Sequence, residues 1–280
     1  KLKNHEKNVI QKHTTIIDFS KLGFSTRTTL TLKVDKKDKI NLKEYLVKHY
    51  NVNSVYKINN GFDFLIEGIF KNLNDFENFN LKASINDVSR LTLDTPNLDL
   101  DLDVNDYSRV YIKNYLNSIN AQVNDASRVE IDKCDSCEMD FTINDYSRIS
   151  VVSELMSQNA SSSSSTISKL TADLNDSSKL TVTKTIFGNI DIDMDDSSKT
   201  SIDGEAELLN ADLSGYSDLE AIGLEVKSAE VKLSGYSKAE LEVLEKLNVF
   251  ARGGSKMSYK GRPEIEKDLG GSSRLSEYDR

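Results

Sequence analysis

The chain has 280 residues, of which 38% are hydrophobic and 29% charged, with a formal net charge of -9 and no tryptophan. That length is enough to bury a real core, and the acidic balance opposes a nucleic-acid partner through the overall field. The longest apolar runs are a few residues, far short of the ~20 that a membrane-spanning helix needs.

In chain order, residues 1–13 are expected to form a frayed leader. The first residue is Lys1 rather than Met, so any signal peptide is expected to have been removed already. Residues 28–34 (TTLTLKV) alternate as a strand, and Asn41 to Glu44 lead into a short amphipathic helix over 45–50. Asn59-Asn60-Gly61 is a turn signal, followed by the strand-like 62–66 (FDFLI). A stack of coils exposes apolar side chains and unpaired backbone at its ends. Residues 14–79 are therefore expected to supply N-terminal coils and a cap with a short helix.

From residue 80 to 275 one motif recurs: NDVSRL, NDYSRV, NDASRV, NDYSRI, NDSSKL, DDSSKT, SGYSDL, SGYSKA, RGGSKM and GGSSRL. Its shared serines are Ser89, Ser108, Ser127, Ser147, Ser178, Ser198, Ser217, Ser237, Ser255 and Ser273, spaced by 19, 19, 20, 31, 20, 19, 20, 18 and 18 residues. The long interval carries an insertion, 153–163, with a serine run that reads as a loop at a turn. Registered on the serine, the offsets -8, -6 and -4 are apolar in copy after copy (Leu100, Leu102, Val104; Leu170, Ala172, Leu174), and so are +2 and +4 (Val129, Ile131). A period of two means strands with one buried face, and two short strands per repeat of about twenty residues means a parallel β-helix. The predicted fold is all-β: a solenoid of about ten coils, with a tail at 276–280.

The turn between the two strands has its own chemistry. Offset -2 is Asp in six copies and Gly in four, residue types that tolerate positive φ, so this slot or its neighbour is expected to be left-handed. The serine has the parity of the core and is small enough to stack in a corner while its hydroxyl bonds backbone. It is a corner-former and no nucleophile.

Cys134 and Cys137 are the only cysteines, and His5, His13 and His49 all lie far upstream. A structural zinc site needs four ligands, so no metal or cofactor is predicted. A redox CxxC belongs at a helix N-terminus, and this one sits in strand-like alternation. A local disulfide or two free thiols are the open readings.

The SGYS and GGSS turns, the start at Ile17-Asp18-Phe19-Ser20-Lys21-Leu22 and the close from Met257 to Ser273 resemble the bacterial putative auto-transporter adhesin family, the head GIN domain, formerly a domain of unknown function. The resemblance spans about residues 14–275 and is strongest from Leu209 onward; the NDxS turns depart from it. It implies a β-helical fold, export to the periplasm or cell surface, and no catalytic residues to carry over.

Two columns are candidate sites. Offset +1 is a cation in nine of ten copies, beginning with Arg90, Arg109, Arg128 and Arg148. Such a column repels itself, and the neighbouring Asp column at -2 is expected to compensate it. Tyr107, Tyr146, Tyr216 and Tyr236 stand at -1 and offer stacking faces beside the cations. The pattern suits an anionic-glycan groove. Asp101, Asp103, Asp140, Asp173, Asp191, Asp193 and Asp212 fill outward slots as a solvated polar face, with a divalent-cation stripe or the carboxylates of a polysaccharide-active enzyme as the alternatives. The expected function is a non-catalytic exported adhesin-like or scaffold protein with glycan or envelope partners. The alternatives are a β-helix carbohydrate-active enzyme and a purely structural homo-oligomer.

Overall fold

The structure is a computed structural model and describes residues 18–32, 34, 39–58, 63–72, 80–93, 98–113, 115–134, 137–152 and 166–278. The expected leader, the Asn59-Asn60-Gly61 turn and the 153–163 insertion lie outside these residues.

The N-terminal part departs from expectation. Strands β1 (Thr26–Leu32), β2 (Val52–Lys57) and β3 (Phe64–Phe70) form a separate antiparallel sheet in the order β1-β3-β2, with helix α1 (Lys39–Lys48) between β1 and β2. They are not coils of the solenoid. Period-two alternation reports a buried face and is silent on whether the neighbour runs parallel or antiparallel. Leu32 and Leu46 share one buried cluster with Leu91 and Leu93 of the first coil, so the unit packs against that end of the stack.

The solenoid proper begins with alternating first and second strands: β4 (Asn80–Ile85), β5 (Arg90–Leu93), β6 (Leu98–Val104), β7 (Arg109–Ile112), β8 (Leu116–Val123), β9 (Arg128–Ile131), β10 (Glu138–Ile143), β11 (Arg148–Val152) and β12 (Thr166–Leu174). First strands pair with first strands and second with second, all parallel, offset for offset. The register passes from β10 to β12 and holds across the insertion. From Lys179 the second strand of one coil runs unbroken into the first strand of the next, giving β13 (Lys179–Met194), β14 (Lys199–Leu213), β15 (Asp218–Leu233) and β16 (Lys238–Ala251). Register shifts mark where these long strands bend. The stack ends with β17 (Lys256–Lys260), β18 (Glu264–Leu269) and β19 (Arg274–Glu277), so residues 276 and 277 belong to a strand where a tail was expected.

Between the first and last coils the apolar offsets are buried as the repeat requires, and a third buried column appears at the far corner: Leu116, Cys134 with Cys137, Ile167, Phe187, Ala206, Val226 and Val243. Cys134 and Cys137 are disulfide-bonded there, with Cα atoms 5.8 Å apart and both side chains buried. The last coil breaks the pattern. Offset -6, buried and apolar from Leu102 to Val249, is Lys267, and offset +4 is Glu277; both are exposed.

Two ladders hold the turns together. Asn105 donates its amide to Asn86, Asn124 to Asn105, Asn144 to Asn124 and Asn175 to Asn144, at 2.8–2.9 Å. Beside it, the buried serines Ser108, Ser127 and Ser147 each accept, on the hydroxyl, the backbone N–H of the serine one coil earlier. In later coils the hydroxyl donates to the carbonyl three residues back, as Ser198 does to Asp195 and Ser237 to Ser234. The serines are corner-formers, as their parity required.

The turn peptide reverses along the stack. In early coils the N–H at -1 reaches forward: Val88 to the carbonyl of Asp106, Tyr107 to Asp125, Ala126 to Asp145, Tyr146 to Asp176. Later it reaches backward: Tyr216 to Asp196, Tyr236 to Gly215, Gly254 to Gly235. The N–H and C=O of a trans peptide point in opposite directions, so the peptide joining -2 and -1 has flipped. The dihedrals agree. Early turns have positive φ at both offsets (Asp106 55°, Tyr107 63°), as in type I′, and late ones only at glycine (Gly215 68°, Gly235 69°), as in type II′. The flip explains the change from Asp to Gly: a Cβ on Gly215 would lie 2.5 Å from the Asp196 carbonyl oxygen. The reversal falls between the coils of Ser178 and Ser198, since Asp196 already offers its carbonyl forward to Tyr216.

Candidate functional site

The strand register stacks the +1 residues into one column: Arg90, Arg109, Arg128 and Arg148, then Lys179, Lys199, Asp218, Lys238, Lys256 and Arg274. All four arginines are exposed, and neighbouring strands set them ~4.8 Å apart, close enough for like charges to repel. The expected compensation by the turn aspartates is not found, since Asp106, Asp125 and Asp145 enter no ion pair among the described residues. The left-handed turn separates them from the strand on which the cation stands, a geometry that offset counting does not capture.

Compensation comes instead from the second sheet itself. Lys199 pairs with Asp218 of the same column at 3.7 Å and also with Glu220. Hydrogen bonding to Glu220 raises the Lys199 pKa; burial opposes this, and the charges of Asp218 and Glu220 add to it. Around the arginines the relief is partial. Arg90 lies 6.0 Å over the ring of Tyr111, and Arg128 and Arg148 share a shallow concavity of about 260 Å³ with Glu130, Asp132 and Ser150. None of the four arginines forms an ion pair among the described residues. Tyr111, Glu130 and Asp132 belong to this surface and were not singled out from the sequence, although the outward parity of Tyr111 and Glu130 at +3 was a signal for both.

The four tyrosines are 62–75% exposed along the turn ridge, but they are not one surface. Tyr216 and Tyr236 stack, with ring centroids 5.4 Å apart and planes 10° from parallel. The Tyr236 ring lies over Gly254, where a Cβ would come within 2.7 Å of it. Tyr107 and Tyr146 stand two coils apart with Ala126 between them. The ridge thus has an arginine-rich half carrying single tyrosines and a half with a flat tyrosine pair.

The outward aspartates are divided. Asp101 pairs with Lys82 at 2.6 Å, Asp103 accepts from Asn105, and Asp140 stands between Asn120 and Thr171 in the register. Asp173, Asp193 and Asp212 are register neighbours and line a second concavity of about 260 Å³ with Asp191, Asn210 and Lys232. Partial burial first, then the carboxylates of Asp212, Asp195 and Asp173, push Asp193 above the ordinary aspartate range. No group of three or more side chains able to hold a metal ion occurs among the described residues.

Fold and ridge together define a repeat-built parallel β-solenoid that presents side chains in ordered columns. Residues 141–263 match the family model described as "Putative auto-transporter adhesin, head GIN domain". No curated protein matches the chain. The match includes Tyr146, Arg148, Tyr216 and Tyr236, and begins after Arg90, Tyr107, Arg109 and Arg128.

Proposed function

We propose that the chain is a non-catalytic, exported, adhesin-like binding protein that engages an anionic glycan of the cell envelope or of a neighbouring surface along its turn ridge. One observation carries this: Arg90, Arg109, Arg128 and Arg148 form an exposed column, in a protein of net charge -9, with no ion pair among the described residues. A polyanion with regularly spaced charges would relieve their mutual repulsion, and a guanidinium column suits carboxylate or sulfate groups. Exposed Tyr107 and Tyr146 beside it suit sugar faces. Export is supported by the family description.

The test is a glycan array on the purified chain, with products checked for cleavage, repeated with Arg109, Arg128 and Arg148 all replaced by Ser. Saturable binding to anionic glycans that the triple variant loses is the expected result. Binding that survives the triple substitution refutes the ridge as the site. Cleavage that Asp193→Asn abolishes would establish the carbohydrate-active enzyme in its place.

A further inference from the structure

The N-terminal unit has a second face that its packing against the stack does not use. Helix α1 turns Leu42 and Leu46 toward the core and leaves Ile40 and Val47 outward, 69% and 63% exposed. Seven residues apart, these two lie on one stripe of the helix. Between that stripe and the sheet runs a groove of about 550 Å³, floored by Val55 and Phe64, within the ~300–1,000 Å³ usual for small-molecule sites.

Its rim is basic. Lys43, Lys48 and Lys57 line it and form no ion pair among the described residues, Glu44 being the one carboxylate beside them, while Lys39 is held by Asp63 at 2.5 Å. The wider segment agrees: residues 1–79 contain 14 Lys and Arg against 9 Asp and Glu, in a chain that is acidic overall. Among the described residues its polar groups are the lysine ammoniums with Glu44 and Asp63, so apolar length and negative charge are both provided for.

We infer that this groove binds a single-chain anionic amphiphile. Its acyl chain lies along Ile40, Val47, Val55 and Phe64, and its carboxylate or phosphate sits among Lys43, Lys48 and Lys57. The lysine stems cover the chain while their ammonium groups meet the head. The site is independent of the arginine ridge and faces a different ligand chemistry.

The experiment is a titration of the full chain with a fluorescent long-chain fatty acid below its micelle concentration, alongside the corresponding fatty alcohol and vesicles of phosphatidylcholine with and without phosphatidylglycerol. Saturable one-to-one binding of the acid is expected, weakened roughly tenfold or more for the uncharged alcohol or by Ile40→Ser with Val47→Ser. Raising salt should weaken it as well, the charges being exposed. Both substituted positions are exposed, so an unchanged circular dichroism spectrum will separate lost binding from lost fold, and Lys43→Ser with Lys48→Ser provides a second variant. Absence of saturable binding, equal binding of acid and alcohol, indifference to both variants, or binding to vesicles alone would each overturn the inference. The ridge variant with Arg109, Arg128 and Arg148 replaced should bind the acid unchanged, which keeps the two sites' failures distinct.

Discussion

The asparagine ladder makes a quantitative demand on stability. Asn124 takes part in two ladder bonds, donating to Asn105 and accepting from Asn144, each at 2.8 Å, whereas Asn175 takes part in one, donating to Asn144 at 2.9 Å. With each half-buried bond worth about 1 kcal/mol net, Asn124→Ala should cost about 2 kcal/mol and Asn175→Ala about 1 kcal/mol. Asn124 and Asn144 share a bond, so their double replacement removes three bonds where independent sites would lose four. A double-mutant cycle should therefore show coupling of about 1 kcal/mol. Urea unfolding followed by far-ultraviolet circular dichroism measures this, provided the slope with denaturant is unchanged between variants. If Asn175→Ala costs as much as Asn124→Ala, or the double variant is additive to within ~0.3–0.5 kcal/mol, the ladder is not what holds these turns.

The turn reversal predicts opposite signs at two positions. Val88, β-branched and exposed, sits at φ 66°, so Val88→Gly should stabilise by about 1 kcal/mol, while Gly215→Ala should destabilise by more than ~2 kcal/mol because its Cβ would lie 2.5 Å from the Asp196 carbonyl oxygen; thermal melts of the two variants that move in the same direction would contradict the turn assignment. Asp193 has a raised pKa, so its contribution to stability is present below the ordinary aspartate pKa and is lost as pH rises through its own. Asp193→Asn should accordingly raise the urea midpoint at pH 7 relative to the parent, with the difference vanishing in acid below the usual aspartate range; an unchanged or lower midpoint at pH 7 would count against it.

Much of this was legible in the residues, for reasons that can be named. The coils, the buried serine and the left-handed slot repeat at constant offsets, and a constant offset in a parallel stack becomes a column in space. The Arg90 to Arg148 column was readable in the same way. The third buried column was legible only in part: Leu116, Ile167, Phe187, Ala206 and Val226 all stand at offset -11, but Val243 stands at -12 and the Cys134–Cys137 coil has Ser136 at that offset, so the apolar repeat is broken there. The Asn86 to Asn175 ladder stood in plain view as the first letter of NDxS, yet attention to φ at the next position hid what an amide can do when its copy lies one coil away. The antiparallel unit was misread as coils since parity alone does not orient a neighbour. Ion pairing at the ridge depends on side-chain direction across a left-handed turn, which no count of intervening residues supplies.

Lys267 and Glu277 set a limit on assembly. Filaments of stacked β-structure grow when the last layer offers the next one the same greasy surface it was itself laid upon. Here any further layer, from this chain or a second copy, would have to be laid over a lysine and a glutamate standing where its own apolar residues need cover. Growth of a further β-layer over that tier is thereby penalised.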